Sequence, residues 1–273
     1  MKNKDYKWTF SEILERFEYI EKKLHLDKSI IQGVTEFIPI SSSSHLIIFS
    51  KYSGFENQSL SIDVSLHIGS FIAVITYFYK DIINFIKNKN LFFKIFIASV
   101  PVMIVGIFLI QTNLIEKIRS IEIIGWTTII FGILIYISDK YKLEKNIKNN
   151  FNYKSALFIG LFQVLSLIPG VSRSGITITA ARLLNFKRYD SLKISFLLSI
   201  PTLAAVSIFG FKNIVFNENI TLSILNIISI FLSFLFSLIT IKFFLEYVKK
   251  FNMNIFVIYR LILGIILIYL SYL

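Results

Sequence analysis

Two short segments hold most of the side chains able to do chemistry inside otherwise apolar sequence. QGVTEFIPISSSSH (32–45) carries Gln32, Glu36, Ser42 and His45, and PGVSRSGITIT (169–179) carries Gly170, Ser172, Arg173, Ser174 and Thr177. Gln32 and Glu36 share one helical face, where their oxygens can hold a divalent metal ion or orient a water. Ser42 and His45 offer a nucleophile and a base. A half-helix starting after Pro169 presents free backbone donors at its positive end, and the hydroxyls and the Arg173 guanidinium face the same volume. That is an oxyanion site, because Arg matches phosphate oxygens bidentately and Ser and Thr add donors without charge. Gly170 permits close backbone approach. The set resembles a phosphoryl-transfer site with metal and Arg neutralising the reacting phosphate.

The elements that position these residues follow from composition. The chain has 273 residues, 55% hydrophobic and 17% charged, with mean hydropathy +0.67. Soluble domains carry roughly 25% charged residues, so the chain reads as an all-α polytopic membrane protein. The absence of cysteine excludes a disulfide scaffold and thiol redox chemistry. Six apolar runs are each expected to cross once, at about 62–79, 91–110, 121–138, 192–211, 221–246 and 255–273. The +12 net charge belongs to loops and not to a nucleic-acid surface: loops 80–94, 139–154, 187–193 and 246–254 hold 14 Lys and Arg, the alternate loops 4. The positive-inside rule places the alternate loops and the C-terminus outside. Residues 1–29, with 7 basic and 6 acidic side chains, read as a polar amphipathic interfacial segment, and 30–273 as a single membrane domain.

Two apolar stretches do not fit as spans. Residues 30–50 and 155–186 are each interrupted by Pro and a serine cluster, so a helix cannot run unbent through either. Both read as re-entrant helical hairpins, the first opening outside and the second inside, as inverted repeats require. Aligning Pro39 with Pro169 lays PISSSS over PGVSRS, with Gln32 and Gln163 one residue out of step. Arg173, Glu36 and His45 are the ionisable groups that fall at these breaks. Arg182 and Arg260 read as structural anchors, Ser41, Ser43 and Ser44 as packing residues, and His67 equally as core or site.

At these residues the chain resembles the bacterial undecaprenyl-diphosphatase family, the bacitracin-resistance phosphatases. The likeness extends over 30–273 through IDVSLHIGSFIAVITYFY (62–79), SFLLSIPTLAA (195–205) and IYRLILG (258–264). It implies hydrolysis of undecaprenyl diphosphate to the monophosphate carrier and phosphate, assisted by Mg or Ca. The site would face the outside of the bacterial cytoplasmic membrane and recycle the carrier for peptidoglycan synthesis. It implies catalytic roles for Glu36, Ser42, His45 and Arg173, with Gln32, Gly170, Ser172, Ser174 and Thr177 around the diphosphate, and Glu36 and Gln32 as the metal oxygens. Either Ser42 attacks phosphorus with His45 as base, or Glu36 and the metal activate water. The family places Gly where this chain has Ser44, and an apolar half-helix where a charged stretch precedes HLDKSII. A carrier that moves a lipid phosphate without cleaving it is the alternative use of the same architecture. A homodimer is left open.

Overall fold

The structure, a computed structural model, describes residues 25–53, 60–87, 89–112, 118–140, 144–217 and 224–272. Most of the interfacial segment expected at 1–29 lies outside the described residues. Residues 25–29 are the exception, and they are already helical: His25, Lys28 and Ser29 are buried, so the first hairpin's entering arm reaches back past residue 30.

Residues 25–35 (α1) and Ser42–Tyr52 (α2) are the two arms of the first hairpin, joined by a turn over 36–40. Leu60–Tyr77 (α3), Tyr79–Lys87 (α4), Lys89–Gln111 (α5) and Ile121–Asp139 (α6) follow. After the short helix Ile147–Asn150 (α7), Tyr153–Val164 (α8) continues as a 3₁₀ turn at Leu165–Leu167 and turns back as Arg173–Leu183 (α9), the second hairpin. Arg188–Asn217 (α10), Ile224–Lys250 (α11) and Asn254–Ser271 (α12) complete the chain. Among the described residues five helices are long and apolar enough to cross a bilayer, namely α5, α6, α10 up to Gly210, α11 and α12. The sixth expected span, 62–79, is the shorter apolar helix α3. The expected loop 80–94 is largely helical, because DIINFIK alternates apolar and polar residues at helical spacing.

Matched helices of the two halves run antiparallel, as inverted repeats demand. At one end of the α3–α10 pair the Phe78 and Phe196 rings are 6.2 Å apart, and at the other Gly210 lies against Val64. In the α6–α12 pair Gly125 meets Ile268 while Gly132 meets Arg260. Each hairpin's entering arm packs on a long helix of the opposite half: Gly160 abuts the Ala98 carbonyl on α5, and Gly33 abuts Phe236 and Ser237 on α11. A Cβ at Gly160 would collide with that carbonyl, which is why the contact needs glycine.

The register between the hairpins differs from the proline alignment by one residue. Ser41 and Ser172 are the residues that start the returning arms, and both have left-handed backbone, φ 73° and φ 72°. Superposing them also superposes Gln32 on Gln163 without a gap, so the mismatch lay in the prolines, which occupy successive positions of one turn. Left-handed serine is strained, and the strain is held at the point where the chain must reverse inside apolar surroundings.

Candidate active site

The turns of the two hairpins meet at the centre of the protein, held by Arg260 of α12. Its side chain is fully buried and donates to five carbonyls: Thr128 (3.1 Å), Thr127 (3.5 Å), Pro39 (3.1 Å), Val171 (3.3 Å) and Gly170 (2.8 Å). Pro39 and Gly170 are equivalent positions in the repeat register, so one guanidinium clasps both broken backbones at the same place. Carbonyls that a helix break leaves without intrahelical partners thereby gain donors away from water. Gly170, with φ +92°, lies so close to Thr127 Oγ1 that no Cβ fits. Thr127 also donates to the Pro169 carbonyl at 2.6 Å. The structural reading of Arg260 holds, and the close neighbour of Gly170 is Thr127 of α6.

The Glu36 amide still bonds to the Gln32 carbonyl at 3.0 Å, so its carboxylate projects from just beyond the last turn of α1. Arg173, the first residue of α9, reaches across from the other hairpin and pairs with Glu36 Oε1 at 2.8 Å. Glu36 Oε2 accepts from Ser42 Oγ at 2.6 Å and from Gln32 Nε2 at 3.0 Å. Ser172 caps α9, accepting from the Gly175 amide at 3.2 Å, and lies 3.2 Å from the Ser174 hydroxyl. Ser174 donates to the Ile38 carbonyl at 2.9 Å, a second tie between the hairpins. Arg173 Nη1 also approaches Thr202 Oγ1 at 3.4 Å.

A cavity of about 410 Å³ opens on this cluster, lined by Glu36, Ser41, Ser42, Ser43, Ser172 and Arg173 at its polar end. Its other wall is apolar, from Val102, Met103 and Ile107 of α5 and Leu203, Val206 and Phe209 of α10. A polar end beside a long apolar wall is suited to an amphiphile with a charged head.

The structure brings Gln32, Glu36, Ser42, Ser172 and Arg173 together, and it does not bring His45 to Ser42. His45 Nδ1 lies 2.7 Å from the Ser41 carbonyl and must donate to it, so Nε2, 2.6 Å from the Tyr259 hydroxyl, accepts the phenol proton. The ring stacks on Tyr259 beside a second cavity instead of lining the first. Thr177 is fully buried beneath the site, 2.9 Å from the Arg173 carbonyl and 2.7 Å from Ser195 Oγ, and it supports the first turn of α9.

Sequence reasoning left His67 undecided, and the structure places it in the cavity wall. Glu36, ionised opposite Arg173, only accepts, so the amide nitrogen of Gln32 must face it. The same nitrogen is 3.2 Å from His67 Nδ1, which therefore accepts, leaving the ring proton of the neutral imidazole on Nε2. The cue was the i,i+4 pair Asp63–His67 in an apolar run, a polar stripe with no loop to explain it.

Among the described residues no group of three His, Cys, Asp or Glu could hold a metal by itself. Gln32 Oε1 is buried without a partner, but the amide nitrogen is the atom that faces Glu36, so Gln32 and Glu36 would present two oxygens to one hard cation only with that amide turned over.

Fold and cavity together define a multi-pass helical membrane protein with a polar, charge-paired centre where two re-entrant hairpins meet. The family model described as "Bacitracin resistance protein BacA" matches residues 28–266, and the chain belongs to that family. It is 51% identical over 245 residues to the undecaprenyl-diphosphatase of Pelagibacter ubique (strain HTCC1062), covering 89% of this chain and 95% of the relative. It is 41% identical over 249 residues to the undecaprenyl-diphosphatase of Saccharophagus degradans (strain 2-40), covering 86% and 93%. For that of Jannaschia sp. (strain CCS1) the identity is 37% over 257 residues, covering 89% and 96%.

Proposed function

We propose that the protein hydrolyses undecaprenyl diphosphate to undecaprenyl phosphate and inorganic phosphate in the bacterial cytoplasmic membrane, with the site open to the outer face. This returns the lipid carrier to peptidoglycan synthesis and confers bacitracin resistance. The observation that carries the reading is the 2.8 Å Arg173–Glu36 pair joining the hairpins at the polar end of an apolar cavity. The names of relatives with up to 51% identity support the substrate.

The diphosphate head lies at the hairpin turns and the prenyl chain along the apolar wall between α5 and α10. Arg173 turns from Glu36 to the phosphate oxygens, with the Ser172 and Ser174 hydroxyls beside it. That frees Glu36 to take the Ser42 proton over their 2.6 Å hydrogen bond. Ser42 Oγ then attacks the terminal phosphorus, expels undecaprenyl phosphate and leaves a phosphoseryl group that water hydrolyses. Glu36, not His45, is the base in this scheme, because both His45 nitrogens are engaged elsewhere. A Mg or Ca ion would be held by Glu36 and, with its amide turned over, by Gln32, and would neutralise charge on the diphosphate.

The test is phosphate release from C55 diphosphate by detergent-purified protein, with and without EDTA, for wild type, Glu36→Ala and Arg173→Ala. Release abolished by chelation and by either substitution is the expected result. Binding of C55 phosphate without any release by folded wild type would overturn hydrolysis in favour of carriage. Acid quenching during turnover should trap phosphate on Ser42, and its absence would redirect attack to water.

A further inference from the structure

We propose that Gln163 binds the substrate head group, its amide nitrogen donating to a phosphate oxygen in the cavity that Glu36 and Arg173 also line. The inference rests on the diphosphate reading above and adds a residue to it. Gln163 is 0% exposed, yet it belongs to the cavity wall. Both of its amide atoms, Nε2 and Oε1, are buried without a hydrogen-bond partner among the described residues. A buried amide left unpaired at both ends is costly, and a fold that keeps one has a use for it.

The repeat explains why it is unpaired. Gln163 occupies the position of Gln32, whose amide nitrogen is satisfied by Glu36 and His67. In the same register Leu167 stands where Glu36 stands, so the second hairpin keeps the amide and has lost the carboxylate that would pair with it. Apolar lining cannot supply the missing partner, and neither can a prenyl chain. A phosphate can, since all its oxygens accept, and Arg173 and Ser172 of the same hairpin bring the head group to this part of the cavity. The Oε1 atom then accepts from a water that enters with the head.

The experiment compares wild type with Gln163→Met, which keeps length and removes polarity, and Gln163→Glu, which keeps the shape but sets a negative charge facing phosphate. Thermal unfolding is read in detergent without ligand. KM for C55 diphosphate hydrolysis and the affinity for a methylene-bridged prenyl bisphosphonate are read separately. Gln163→Met should unfold at the same or a higher temperature than wild type, while KM rises and analogue affinity falls by about tenfold, the loss of one hydrogen bond to a charged oxygen. Gln163→Glu should lose more of both. Wild-type KM and analogue affinity in Gln163→Met would overturn the inference. So would a lower unfolding temperature or failure of that variant to fold, since either means the amide already has a structural partner. If wild type binds the analogue but releases no phosphate, hydrolysis fails, and the difference in analogue affinity still decides Gln163.

Discussion

The two re-entrant hairpins share a backbone and divide the chemistry. Each runs inward as a helix, breaks, places a serine in left-handed conformation and returns as a second helix. At the first break the side chains centre on one carboxylate: Glu36 accepts from Gln32 Nε2 and from the Ser42 hydroxyl. At the second they centre on one guanidinium, Arg173, with the Ser172 and Ser174 hydroxyls beside it at the start of α9. Duplicated geometry with diverged side chains brings a carboxylate opposite a guanidinium, which a single re-entrant helix could not do. The Glu36–Arg173 pair marks where the two meet.

Breaking that pair should have the largest effect. Glu36→Ala or Arg173→Ala is expected to lower kcat/KM by about 10³-fold or more, as for other groups that stabilise charge in the transition state. The double variant should fall little further than either single one, because the two act as a unit; full additivity in steady-state assays would mean independent roles. Arg260→Met comes next. It removes one side chain from both hairpins at once, leaving the Pro39 and Gly170 carbonyls buried without their donor. A stability loss of about 3–5 kcal/mol is expected, and Arg260→Lys should not restore it, since one ammonium cannot serve five carbonyls in a fork. Equal unfolding curves for Lys and wild type would sink the clasp.

Much of this comparison was legible in the sequence. Broken helices in lipid need a reason, so Pro followed by serines inside an apolar run pointed to both hairpins, and Glu36 and Arg173 stood out as ionisable groups at those breaks. Apolar length alone gave six expected spans, of which five are long helices among the described residues and the sixth is the shorter α3. The partner of His45 was not legible, because Tyr259 lies far along the chain on α12 and no local spacing links them. Nor was the orphaned state of Gln163, which depends on what surrounds it in three dimensions. The register error arose because proline is the conspicuous residue, whereas the quantity the two turns share is the left-handed φ of the serine after it.

That shared turn yields a smaller contrast. Gly170→Ala must place a Cβ on Thr127 at positive φ and should cost about 1–3 kcal/mol. Pro39→Ala, at the equivalent position, meets no such demand and should cost less than about 1 kcal/mol. Equal destabilisation in chemical unfolding would show that the positive φ and the Thr127 contact of Gly170 carry no cost of their own.

The smallest effect should come from Tyr259→Phe, and it separates two roles for His45. The phenol donates to His45 Nε2, and His45 Nδ1 donates to the Ser41 carbonyl at the start of α2, so the pair braces the first turn from the side away from the cavity. If bracing is its work, losing one exposed hydroxyl should lower kcat by about threefold or less, a single net hydrogen bond of about 0.5–1.5 kcal/mol being partly replaced by water. His45→Asn, which keeps a donor near Nδ1, should then retain most activity, whereas His45→Ala should not. A general base behaves otherwise, since Asn cannot accept a proton from Ser42 and would lose about 10²-fold or more. Rates for the Asn and Ala variants that fall together by that amount would return His45 to the catalytic step and make the observed turn a resting arrangement.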